Sequence, residues 1–384
     1  MIPYGKQSID QTDIDAVIDV LNSDWLTQGP KVPQFEKAVV DYTGSKNAIA
    51  VNSATSALHI ACLALNVAVG DLVWTSPISF VASSNCALYC GATVDFVDIN
   101  QATGNMCTIE LERKLIIAKK NEQLPKVIIP VHLAGQSCEM KRIYELSLEY
   151  GFSIIEDASH AIGAKYQNKP VGNCQYSDIC VFSFHPVKII TSAEGGMATT
   201  NDPELARKMQ LLRSHGVTAI DAEMTEPSHG PWYYQQVSLG FNYRMSDIHA
   251  ALGLNQLQKV DQFIKKRHQL AGLYIDLLNH TLVTPLFQVE GTYSAYHLFV
   301  IQLKEQCKTK HRELVTQLRS QNIMGHVHYI PIHLQPYYQA LGFEPGDYPN
   351  AERYYDGAVT LPLYPELTIE QVQYVVKTVH DILS

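Results

Sequence analysis

Through the first two-thirds of the chain, short apolar runs alternate with longer stretches of helical period. Asn47–Val51 reads as a strand and passes through a brief polar turn into a helix over Thr55–Leu65. The pattern then repeats as Leu72–Thr75, a helix over 80–90, Thr93–Val97, a helix over 109–120, Val127–Val131, a helix over 138–149 and Ser153–Ile155. Such alternation predicts an α/β fold with a mostly parallel sheet and helices packed against it. Upstream, Ile14, Val17, Ile18 and Leu21 share one face of a helix over 13–21. Gly70, Gly91 and Gly151 stand just before strands, where a left-handed residue closes a helix. Beyond Asp178 the strands Ile179–Phe184 and Gly196–Thr199 precede a helix over 203–213, and the polar stretch Asp221–Gly230 reads as a loop. A long helix from Ser246 to Leu278 leads into a smaller α+β unit. The expected division is a large domain over 1–255 and a small C-terminal domain over 256–384.

Charge and composition exclude several classes. The 384 residues hold 29 Lys+Arg against 38 Asp+Glu, a net charge of −9. A phosphate backbone needs a basic face, so nucleic acid is not an expected partner. No apolar run reaches the length of a membrane span, and the start Met1-Ile2-Pro3-Tyr4-Gly5-Lys6 lacks the pattern of a secretory leader. None of the 8 cysteines forms a C-x-x-C pair. Reduced, structural thiols and a cytoplasmic location are the expectation. G-x-G-x-x-G, the P-loop pattern and G-x-S-x-G are all missing, which argues against dinucleotide, P-loop and serine-hydrolase chemistry.

The candidate chemistry lies in Ser153-Ile-Ile-Glu-Asp157-Ala-Ser-His160 and in Val181-Phe-Ser183-Phe-His185-Pro-Val-Lys188. Asp157 follows an apolar strand and so falls at a C-terminal strand end, where open α/β sheets bind ligands. Lys188 lies in a loop just after a second such strand. A carboxylate and a lysine placed this way suit pyridoxal phosphate (PLP). The carboxylate holds the pyridine nitrogen protonated, and the lysine forms the Schiff base. Ser53-Ala54-Thr55-Ser56 sits between a strand and a helix, where backbone N–H groups and hydroxyls can hold a phosphate. Ser183 can add a hydroxyl, Phe80 can stack on the ring and His160 can bond the ring oxygen. Taken singly, each has an ordinary reading as a cap, a solvated charge or a core aromatic. Their order and spacing carry the inference.

The chain resembles the sugar-nucleotide aminotransferases of PLP fold type I, whose fold is like that of aspartate aminotransferase. The resemblance rests on Leu26-Thr-Gln-Gly-Pro30, Asn52-Ser-Ala-Thr-Ser-Ala-Leu58, Glu156-Asp-Ala-Ser-His160, Ser183-Phe-His-Pro-Val-Lys188 and Leu239-Gly-Phe-Asn-Tyr-Arg244. Tyr4, Trp25–Gln28, Ser79–Asn85, Pro130–Gly135 and His326-Val-His-Tyr329 resemble the pseudaminic-acid branch. Members of that branch aminate C4 of a UDP-linked 4-keto-6-deoxy sugar. The resemblance implies that Lys188 carries the Schiff base, Asp157 meets the pyridine nitrogen and His160 faces the ring oxygen. Ala54, Thr55 and Ser183 would bind the phosphate. Asn242 would reach the cofactor of a neighbouring subunit, which implies a homodimer with shared sites. The substrate residues would be Tyr4, Trp25, Leu26, Thr27, Gln28, Ala54, Ser183, Asn242, His326, Val327, His328 and Tyr329. The implied reactants are L-glutamate and UDP-2-acetamido-2,6-dideoxy-β-L-arabino-hex-4-ulose, with another UDP- or dTDP-linked keto-deoxysugar as the alternative. One departure stands out: many relatives carry Thr-Gly before Glu-Gly-Gly, where this chain has Ser192-Ala193, losing a residue suited to positive φ.

Three rival readings are weaker. Sugar dehydratases of this fold carry His in place of the Schiff-base lysine, and Lys188 is present. A PLP-dependent regulator would add a DNA-binding module. His326 and His328 would share a strand face, with His333 following, but no nearby acid completes a metal site; contact with substrate is the expectation there, and no metal.

Overall fold

The computed structural model describes residues 1–279 and 281–384. Along the first part of the chain run α1 (Gln11–Leu21), α2 (Lys31–Thr43), β1 (Asn47–Val51), α3 (Ala54–Ala64), β2 (Leu72–Thr75), α4 (Ala82–Tyr89), β3 (Thr93–Phe96), α5 (Thr108–Lys120), β4 (Val127–Ile129), α6 (Met140–Tyr150) and β5 (Ser153–Asp157). A short hairpin, β6 (Lys165–Tyr166) and β7 (Lys169–Pro170), precedes β8 (Ile179–Ser183), β9 (Gly196–Thr200) and α7 (Pro203–Arg213). Then come β10 (Val217–Thr218), β11 (Gln235–Gln236), α8 (Asp247–Leu257) and α9 (Val260–Leu278). The remainder holds β12 (Val283–Pro285), β13 (Thr292–Tyr293), β14 (Phe299–Leu303), α10 (His311–Ser320), α11 (Pro336–Gln339), α12 (Pro349–Tyr355), β15 (Ala358–Leu361) and α13 (Ile369–Leu383).

The main sheet has seven strands in the order β1-β9-β8-β5-β4-β2-β3. Only β9 runs against its neighbours; the other pairings are parallel. Strand residues alternate between two cores, as the pleat requires. Val127, Ile129, Ile155, Ile179 and Val181 pack with α3, α4 and α7, while Ile128 and Ile154 meet α5 and α6. Cys180 and Phe182 face a third cluster built from α2, α8 and the start of α9. Helices thus cover both faces, and most residues of the sheet are buried. A smaller three-stranded antiparallel sheet, β12-β14-β15, packs with α10, α13 and the second half of α9. No described helix is long and apolar enough to cross a membrane. All eight cysteines are free.

Two sequence expectations need correction. The stretch from Ser246 to Leu278 is two helices, broken at Gln258 and Lys259. The Lys259 ammonium turns instead to Asp10 and Asp13, at 2.7 and 2.9 Å. In α1 the helix forms, but Ile14, Ile18 and Leu21 are exposed, and Asp13 with Val20 is buried. The helix docks through polar bonds: Asp13 accepts from Asn255, Gln256 and Lys259.

Candidate active site

Strand register assembles the site. Val51 pairs with Gly196, Gly196 pairs with Ser183, and Asp157 pairs with Val181. The ends of β1, β5 and β8 and the start of β9 therefore meet at one sheet edge. Gly196 lies so close to the turn after β1 that a Cβ there would stand 2.5–2.6 Å from the backbone of Ser53 and Ala54. A cavity of about 370 Å³ opens over this edge. Ala54, Thr55, Phe80, Asp157, His160, Ser183 and Lys188 all line it, as do Tyr4, His326, His328 and Tyr329. The structure thus brings together most of the residues singled out in the sequence.

Ser53 caps α3: its hydroxyl accepts from Ser56 N–H, and its carbonyl from Ala57 N–H. Those bonds leave the N–H groups of Ala54 and Thr55 at the open end of the helix, where an anion is favoured. Ser183 is buried beside them at the cavity wall. Asp157 is buried as well. Its Oδ1 accepts from Ser159 N–H at 3.1 Å and its Oδ2 from the Ser83 hydroxyl at 2.5 Å. Phe80 is 61% exposed and offers its ring to the cavity.

Lys188 is half-buried in the turn after β8. Burial brings its amine down from the free value to about 8, and the Asp157 carboxylate partly opposes the fall. His160 is held well below the ordinary imidazole range by burial and by the Lys188 charge, so it is neutral. Its Nε2 lies 3.2 Å from the Tyr329 hydroxyl, and its buried Nδ1 has no partner among the described residues. His328 is lowered to about 3, by burial first and then by His326 and Lys188. With His160 and His328 held neutral and the Tyr329 phenol raised, none of these three adds charge beside Lys188 and Asp157.

Other expected residues lie elsewhere. Trp25, Leu26, Thr27, Gln28, Val327 and Asn242 are not on the cavity lining of this chain. Thr27 instead bridges Ser246, and Asn242 bridges Ser214; Trp25–Gln28 and Asn242 are exposed. The His326–Tyr329 segment is not a strand; only His326 bridges Thr360. His333 pairs with Glu352 at 2.9 Å, away from the cavity. Among the described residues no group of three or more His, Cys, Asp or Glu is arranged to hold a metal. Ser79 and Ser83 line the cavity without having been singled out, and the His297 ring lies 4.4 Å from that of His160, tilted by 47°. The Ser192-Ala193 departure is visible in the backbone: Ala193 takes φ 64, and its N–H donates to the Thr191 hydroxyl at 2.9 Å.

These residues fit PLP. An open helix N-terminus with Ser183 suits its phosphate, a clamped carboxylate suits its ring nitrogen, a lysine of lowered pKa suits its aldehyde, and the unpartnered His160 Nδ1 lies in the same wall.

The DegT/DnrJ/EryC1/StrS aminotransferase family model matches residues 7–380. The UDP-4-amino-4,6-dideoxy-N-acetyl-beta-L-altrosamine transaminase of Campylobacter jejuni is 38% identical over 386 residues, covering 100% of this chain and 98% of that protein. The structure of Helicobacter pylori PseC, an aminotransferase of pseudaminic acid biosynthesis, superposes with a TM-score of 0.91 at 35% identity, covering 100% of this chain and 99% of the other. A sugar aminotransferase of Streptococcus pneumoniae in its PLP form superposes with a TM-score of 0.89 at 30% identity, covering 99% and 98%. Aminotransferases of this family are PLP-dependent and share fold type I. The chain belongs to the DegT/DnrJ/EryC1/StrS family and is a sugar aminotransferase.

Proposed function

We propose that this enzyme moves the amino group of L-glutamate to the C4 ketone of a UDP-linked 4-keto-6-deoxy-N-acetylhexosamine, a step toward pseudaminic acid. The observation that carries the reading is the meeting of Lys188, Asp157 and the open end of α3 in one cavity. The choice of sugar is supported by full-length similarity to the Campylobacter transaminase and by Tyr4, His326 and His328 in the cavity lining.

In this reading Ala54 and Thr55 N–H groups and the Ser183 hydroxyl hold the PLP phosphate. Asp157 would meet the ring nitrogen, His160 the ring oxygen, and Phe80 would stack on the ring. PLP, when bound, supplies an electron-poor ring that stores the electron pair left when a Cα proton departs. Lys188 would accept a proton from the glutamate Cα and, in the second half of the cycle, would return a proton to C4 of the sugar. Such a base must be neutral. At pH 7.5 an amine near 8 is about one-quarter neutral, against roughly one part in a thousand for free lysine. The neutral state of His160 and His328 keeps further positive charge away from Lys188. Asn242 and the Trp25–Gln28 segment, lying off this chain's cavity, would serve the site of a second copy, which makes the working unit a homodimer.

The test is a panel of UDP- and dTDP-linked keto-deoxysugars with glutamate, followed by mass spectrometry of the product. Amination of the UDP-linked N-acetylated 4-ketosugar supports the assignment. Turnover confined to a dTDP sugar moves the substrate but keeps the chemistry. A deoxygenated product without amine transfer overturns both.

A further inference from the structure

Asp157 is held from two sides, and the two clamps differ in origin. The Ser159 N–H comes with the local turn, two residues along the chain. The Ser83 hydroxyl crosses from α4, 74 positions away in sequence. Both partners are nearly sealed, Ser83 at 1% and Asp157 at 4% exposure. Ser79, 4% exposed, stands 2.6 Å from the Ser83 oxygen. Proton counting fixes the direction of this chain. A serine hydroxyl has one proton, and an ionised carboxylate only accepts. At 2.5 Å the carboxylate outcompetes the Phe80 carbonyl, 3.3 Å from Ser83. Ser83 therefore donates to Asp157, and Ser79 donates to Ser83. The turn that presents Phe80 to the cavity thus also orients the carboxylate.

We propose that Ser83, supported by Ser79, is a positioning residue that fixes the Asp157 carboxylate and keeps its Oδ2 an acceptor, so that the proton stays on the pyridine nitrogen. The proposal rests on Asp157 facing that nitrogen. Without the hydroxyl, a buried carboxylate oxygen loses its donor in a low-dielectric site. The nearest replacement proton is the one on the ring.

The experiment loads the full-length protein with PLP labelled with ¹⁵N at the ring nitrogen and compares it with Ser83→Ala, Ser83→Thr and Ser79→Ala. In the unaltered protein and in Ser83→Thr the nitrogen signal should lie at the pyridinium position. In Ser83→Ala it should move toward the neutral-pyridine position. PLP affinity should fall about tenfold to a hundredfold, the range for a lost hydrogen bond to a charge. The half-reaction with glutamate should slow to a similar degree. If Ser83→Ala does not fold, as thermal unfolding of the apoprotein would reveal, Ser79→Ala carries the test, with a smaller displacement of the same sign. A pyridinium signal in the unaltered protein that neither alanine variant moves overturns the role of Ser83 alone. A neutral nitrogen already in the unaltered protein overturns the Asp157 reading and this proposal with it.

Discussion

Replacing Lys188 with methionine separates the chemistry of this lysine from its cost to the fold. Burial lowers its amine from free lysine's 10.5 to about 8, with Asp157 opposing the fall. The folded chain therefore gives up this proton about 2.5 pH units (10.5 − 8) before the unfolded chain does. At 1.36 kcal/mol per pH unit, the lysine destabilises the folded apoprotein by about 3 kcal/mol at pH 7. The sign follows from proton counts. Below pH 8 both states hold the proton and the penalty is complete. Between pH 8 and 10.5 the unfolded chain binds more protons, so stability rises with pH. Above 10.5 the penalty is gone. Lys188→Met should thus abolish transamination while stabilising the apoprotein by about 3 kcal/mol at pH 7 and by about 1 kcal/mol at pH 10. Urea unfolding of both apoproteins at matched concentration measures the two differences. Any packing gain from methionine is the same at both pH values, so the contrast between them isolates the charge. A stability gain that does not change with pH would refute the reasoning, and so would surviving turnover.

If Asn242 serves a second copy's site, Lys188→Ala and Asn242→Ala, each inactive alone, should regain about a quarter of full activity when mixed and allowed to exchange subunits. Half the dimers are then mixed, with one intact site of two; no recovery would place Asn242 in its own chain's site. Gly196→Ala forces a Cβ against the Ser53–Ala54 backbone. Overpacking of this kind costs about 1–3 kcal/mol. PLP affinity measured by equilibrium dialysis should fall by roughly tenfold or more, and unchanged affinity would mean that this turn does not hold the phosphate. Ala193→Gly relieves a left-handed backbone at φ 64 and should raise the stability of the apoprotein by about 1 kcal/mol in a denaturant titration.

Much of this architecture was legible because the signals are local. Val127–Ile129 and Ile179–Phe182 are continuous apolar runs, buried on both faces. Asp157 and Lys188 were readable because each follows such a strand. What escaped depends on partners far away in sequence. No Pro or Gly marks the break at Gln258 and Lys259; it is set by the Asp10 and Asp13 carboxylates, more than 240 positions upstream. The apolar face of α1 was visible, but the polar bonds of Asp13 decide which side docks. Ser83 stands near the start of a helix, and nothing local shows that its hydroxyl crosses to Asp157. Trp25–Gln28 and Asn242 were found through family resemblance, which assigned Asn242 to a neighbouring subunit's cofactor but did not show that Trp25–Gln28 lie off this chain's cavity.

One lysine and one carboxylate of this chain are proposed to grip a single PLP molecule. Borohydride reduction of the PLP-loaded protein, followed by peptide mapping, tests it most directly. The phosphopyridoxyl label should appear on the peptide that holds Lys188 and on no other, and should be missing from Lys188→Met. A label on a different lysine, or a pure protein that takes up no PLP, would contradict the account.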